Sequence, residues 1–151
     1  MTLKKREKKI IGRRDKADFP CLLLSNIDVK IDTGAYTSSI HCEHIEEIQV
    51  EGEKAIRFRL LDSTHPEYNN KEFTFPDYRQ KLVKNSFGVT EKRYVIETTI
   101  TLFGEEIRSA FTLSERGEMK YPVLLGRKLL NRRFLVDTMK INLSYKEKLK
   151  A

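Results

Sequence analysis

In the run VKIDTGAYTSSIH, Val29 to His41, an acid, a hydroxyl residue and a glycine stand in a row as Asp32, Thr33 and Gly34. Val29 and Ile31 alternate with Lys30 and Asp32. That is the period of a strand, so the acid sits where a strand ends. No Lys or Arg follows closely to pair with it. Gly34 allows close backbone approach, so its N–H can reach the carboxylate. Hydrolysis of a peptide bond needs an activated water and a proton donor for the leaving amine. Two carboxylates about 3 Å apart cannot both ionise, so such a pair supplies base and acid together and titrates as a unit. The chain carries one such motif. Asp137-Thr138 lacks the glycine, and the 14 residues after Asp137 cannot build a second lobe. The plainer alternative is that Asp32 is a turn residue.

Other chemistry is less well supported. HCEH, His41 to His44, offers His, Cys and His at close spacing, with His65 elsewhere. If that stretch were helical, His41 and His44 would share a face suited to a metal. Three ligands within four residues cannot all reach one ion, and no His-Glu-x-x-His occurs. The expectation is therefore no metal, with His41 packing or hydrogen-bonding beside the Asp32 loop. No Gly-x4-Gly-Lys-Ser/Thr phosphate loop is present, so nothing supports ATP use, and no cofactor is expected.

The elements that must position Asp32 show period-two patterning. AIRFRLL (Ala55 to Leu61), RYVIETTITL (Arg93 to Leu102) and IRSAFTL (Ile107 to Leu113) read as antiparallel strands, with a hairpin turn around Gly104. PVLLG (Pro122 to Gly126) reads as a buried strand, RKLLN (Arg127 to Asn131) as a short helix, and FLVD and KINLS (Lys140 to Ser144) as closing strands. The stretch 62–88, with His65-Pro66 and Phe75-Pro76, reads as loop holding a short strand near Phe73 to Phe75. The predicted layout is a basic flexible segment 1–9, one domain 10–144 and a basic flexible tail 145–151. With 29 Lys+Arg against 22 Asp+Glu the net charge is +7, which favours anionic partners. Much of the excess lies in the terminal segments, and no aromatic-rich basic motif appears, so neither nucleic acid nor membrane is expected as a partner. The two cysteines, Cys21 and Cys42, make no framework, and no apolar leader or spanning run occurs. A reduced, cytoplasmic protein is expected.

Asp32-Thr33-Gly34-Ala35, with VLLGRKLLN (Val123 to Asn131) near the other end and MKINL after it, resembles the retroviral-type aspartic proteases. From about Ile11 to Asp137 the chain most resembles the bacterial retropepsin-like family labelled ATP-dependent zinc proteases, often encoded beside ATP-grasp glutamate ligases. Asp15, where that family has Glu, and Tyr36, where it has a basic or small residue, depart from it. The resemblance implies an all-β, closed retropepsin-like barrel with one short helix after Gly126. It implies a C2 homodimer that pairs Asp32 with its own copy, with Thr33 holding the two loops in register. Gly126 and Arg127 would brace the dimer. Lys84 to Arg93 would be the flap over the substrate, with Gly88 its hinge. Ala35, Lys84, Gly88, Lys92, Arg93 and Arg116 would line the substrate site, the basic ones binding carboxylates of a glutamate-rich peptide. The rival function is a module that grips an acidic peptide without cutting it.

Overall fold

Long stretches of alternating apolar and polar residues give this chain strands rather than helices, and the strands set out the ends at which the site lies. The computed structural model describes residues 7–61, 65–68, 70–84, 87–115 and 121–151. The elements in order are β1 (Lys9–Ile11), β2 (Arg14–Phe19), β3 (Leu24–Ile31), β4 (Ser38–Val50), β5 (Glu53–Leu60), β6 (Glu72–Phe75), β7 (Tyr78–Lys84), β8 (Thr90–Leu102), β9 (Glu105–Ser114), β10 (Val123–Leu125), α1 (Arg127–Leu130), β11 (Phe134–Val136) and α2 (Leu143–Lys150). The fold is mostly β.

β10 is the strand that closes the arrangement. It pairs in parallel with β3 (Val123↔Val29, Leu125↔Ile31) and antiparallel with β4 (Val123↔Ile40). The path β10-β3-β2-β8-β9-β4 therefore returns to β10 as a ring. Its wholly apolar sequence follows from burial between two neighbours. From the ring, β5 and β6 extend beyond β4, and β7 extends beyond β8. A separate parallel pair joins β1 to β11, Ile10 opposite Leu135. The interior is filled by alternate residues of these strands. Phe19, Phe58 and Phe111 are fully buried, and Phe19 meets Phe111 edge to face with centroids 5.5 Å apart.

Four parts of the predicted layout differ. The stretch 62–88 contains a strand, β7, besides β6. The KINLS segment is not a strand, and the tail 145–151 is not a free end: Leu143–Lys150 is the helix α2. Lys9, placed in the flexible N-terminal segment, opens β1 opposite Phe134. The reason for the helix is a carboxylate far away in sequence. Asp15 is 1% exposed and accepts the Ser144 N–H at 2.8 Å and the Tyr145 N–H at 3.1 Å, covering free amides of the helix start. Ser144 Oγ in turn accepts the Phe103 N–H at 2.8 Å. Lys148 Nζ donates to both Asp18 oxygens and to Asn26. No helix among the described residues is long and apolar enough to cross a membrane.

Candidate active site

Asp32 is held at the end of β3 by the closing strand: its N–H donates to Leu125 O at 2.9 Å. The chain then turns, with the Ala35 N–H reaching Asp32 O at 3.3 Å and the Gly34 N–H reaching the carboxylate Oδ1 at 3.1 Å. The expected glycine contact is therefore made. Among the described residues no Lys or Arg pairs with this half-exposed carboxylate. Thr33 and Gly34 are exposed.

The loop rests on the start of α1. The Arg127 N–H donates to Ala35 O at 2.9 Å and the Lys128 N–H to Tyr36 O at 2.8 Å, so loop carbonyls take up the first helical amides. The Gly126 N–H donates to Ser38 Oγ at 3.0 Å. A side chain at Gly126 has no room, since a Cβ there would lie 2.7 Å from Tyr36 O and 2.9 Å from Ala35 O. The Arg127 guanidinium donates to Thr33 O at 2.9 Å and lies over the exposed Tyr36 ring. Within the chain, then, Gly126 and Arg127 brace the Asp32 loop itself.

The β7–β8 hairpin carries the predicted flap. Gly88 lies between its strands with φ +79, in the left-handed region. The hairpin separates residues that the sequence grouped together, because neighbours along a strand face opposite ways. Lys92 is 3.7 Å from Glu47 of β4 and lies over Tyr94, while Gln80 Nε2 and Tyr94 OH also donate to Glu47. Burial, with the Glu47 hydrogen bond added, raises the pKa of the Tyr94 phenol. Lys84, paired with Thr90, belongs to this same face. Arg93 is on the other face, directly opposite Lys81 in register. Lys81 Nζ donates to Thr37 Oγ1 at 3.4 Å and so reaches the Asp32 loop. Sequence reading missed Lys81. No local signal marked it, since YRQKLVK (78–84) does not alternate apolar and polar residues. Arg116 lies outside the described residues.

β9 ends at Ser114 while β4 and β8 run on, leaving a gap of about 470 Å³ lined by Ile45, Lys92, Arg93, Tyr94, Leu113 and Glu115 among others. At its base buried His41 has Nδ1 3.1 Å from Ser114 O, and Cys42 Sγ donates to the same oxygen at 3.7 Å. The HCEH stretch is strand rather than helix, and His44 points to solvent with its side chain 71% exposed. Among the described residues no group of three His, Cys, Asp or Glu could hold a metal.

A family model described as RimB-like, retropepsin-like aspartic endopeptidase RimB, matches residues 10–147. The chain belongs to this family. It is 38% identical over 134 residues to a Shewanella pealeana protein named "Probable alpha-L-glutamate ligase", and 35% identical over 132 residues to one of the same name from Parasynechococcus marenigrum. Each match takes in 85% of this chain and 28% of the relative's length, so the chain spans little more than a quarter of these curated relatives. The crystal structure of a Legionella pneumophila protein described as of unknown function superposes with a TM-score of 0.67 at 26% identity, covering 91% of this chain and 99% of that one.

Proposed function

We propose that this protein is a homodimeric aspartic endopeptidase that hydrolyses amide bonds in acidic, glutamate-rich peptides or tails. The observation that carries the reading is the Asp32 loop. One half-exposed carboxylate per chain is pinned by the Gly34 N–H, has no basic partner among the described residues, and is followed by exposed Thr33 and Gly34. A second copy across a two-fold axis supplies the missing acid. One Asp32 then stays protonated, the other takes a proton from water, and the pair returns a proton to the leaving amine. The strand ring is read as the closed barrel that retropepsins share, and β7–β8 as the flap. The relatives' name supports an acidic substrate, since a module like this one is carried within chains named for glutamate ligation. The free state of both cysteines supports reading the protein as cytoplasmic.

The test is cleavage of an oligoglutamate-tailed peptide followed by mass spectrometry. Asp32→Asn is expected to abolish hydrolysis while leaving the circular dichroism spectrum and peptide binding in place. A chelator is expected to change nothing. Hydrolysis that survives Asp32→Asn but is lost to chelator overturns the dyad. Binding without hydrolysis in the parent protein makes it a peptide-gripping module.

A further inference from the structure

We propose that Lys81 and Arg93 form a carboxylate-binding pair that selects an acidic side chain close to the bond being cut; this rests on the peptidase reading above. The two residues are register partners across β7 and β8. Like charges placed directly opposite destabilise an antiparallel pair, so the arrangement carries a standing cost that an anion relieves. The protein supplies part of that anion: Glu91 approaches Arg93 at 3.4 Å. Lys81 finds a neutral partner instead, the Thr37 hydroxyl at 3.4 Å, which is long for a hydrogen bond.

That contact also fixes where the pair looks. Thr37 is five residues beyond Asp32, so Lys81 reaches the segment that carries the Asp32 carboxylate. An extended substrate advances about 3.3 Å per residue. A carboxylate held here therefore belongs to a residue within a few positions of the scissile bond. It displaces the weak Thr37 contact with a charge-assisted one and gives Arg93 a planar, two-oxygen partner. Lys92 is the internal contrast. It is next to Arg93 in sequence, but it faces Glu47 and is already paired.

The experiment measures binding and cleavage separately. Fluorescence anisotropy with full-length Asp32→Asn protein compares a labelled oligoglutamate peptide with its glutamine counterpart. The same comparison is made after adding Lys81→Met, Arg93→Met, Lys81→Arg or Lys92→Met. The expected result is a preference for glutamate that falls at least about tenfold with Lys81→Met or Arg93→Met, the usual scale for a lost charged hydrogen bond. Lys81→Arg should keep the preference, and Lys92→Met should shift it less than about twofold. Equal binding of both peptides, or equal losses from Lys81→Met and Lys92→Met, overturns the pair. The two readings fail separately. If binding preference tracks Lys81 but the parent protein cuts nothing, the carboxylate site stands and the peptidase falls. If glutamate peptides are cut and Lys81 proves no different from Lys92, the peptidase stands and this site falls.

Discussion

Gly126 shows how tightly single residues define the Asp32 loop. The three atoms a Cβ would strike are backbone, Tyr36 O at 2.7 Å and Ala35 O and Thr37 C at 2.9 Å, and they belong to the loop that carries Asp32. None can swing aside as a side chain could. Gly126→Ala should cost about 1–3 kcal/mol in chemical denaturation, the range for overpacking. It should also lower peptide hydrolysis by more than that loss of stability explains, because the displaced atoms carry Asp32 with them. The cysteines make a second residue-scale prediction. Burial pushes the Cys42 thiol well above its usual pKa, with the Glu115 carboxylate adding to the effect, whereas Cys21 is exposed. Native protein at neutral pH should therefore consume one equivalent of a thiol reagent, at Cys21, and the second only after unfolding. Much at this scale was legible in sequence. The Asp-Thr-Gly tripeptide and the Gly-Arg before α1 lie in short, local motifs whose geometry depends on nearby backbone. The division of Lys92 from Arg93 was not legible, because it depends on which face of a hairpin meets β4, a matter of sheet order rather than of local pattern.

Among the elements, the sequence concealed α2 and β7. LSYKEKLK is mostly polar and charged, and it reads as a solvated tail. What orders it is Asp15, 130 residues before Tyr145, offering carboxylate oxygens to the helix start. Long-range capping leaves no periodic signal near the helix itself. The Asp15 position, a departure from the expected Glu, thus bears on how the chain end is docked. Asp15→Ala leaves buried amides without partners, so it should destabilise the protein by about 1–3 kcal/mol and expose residues 143–150 to proteolysis. Asp18 adds a pH dependence. Burial works against its charge, but the Lys148 hydrogen bond and the Asn26 N–H outweigh it and hold the carboxyl below its ordinary range. A depressed carboxyl contributes stability above its unfolded pKa, about 3.9, and loses it as the pH falls through the lower folded value. Thermal stability should therefore drop below about pH 4, and Asp18→Asn should flatten that part of the profile. β7 was missed for a different reason. Its neighbours Phe75-Pro76 signal a break, and the break is real, but it separates two strands instead of marking a loop.

At the scale of the whole molecule, the chain leaves apolar surface open at the β1–β11 pair. Ile10 and Leu135 are register partners, 49% and 55% exposed, and Met139 just beyond is 88% exposed. A two-stranded sheet with an open apolar face is a poor end point for folding in water, since such pairs need further strands or a packed surface to be stable. The second copy proposed above fits that need, and in a C2 dimer the same patch would meet itself. Leu135→Glu should therefore shift sedimentation toward monomer and cut hydrolysis steeply at low concentration, with the circular dichroism of each protomer little changed. A sharper consequence concerns the shared dyad. Suppose parent protein is mixed with an equal amount of Asp32→Asn protein and allowed to exchange subunits. If each active centre needs an Asp32 from both chains, mixed dimers are dead, and about a quarter of the dimers remain active under random pairing. If each chain works alone, total activity is the plain sum of its parts and the added variant takes nothing away. Activity that falls by about half relative to the unmixed parent amount, and recovers when subunit exchange is prevented, is the outcome expected of two Asp32 carboxylates meeting across the axis. Activity untouched by the variant at every ratio would instead assign the chemistry to a single protomer.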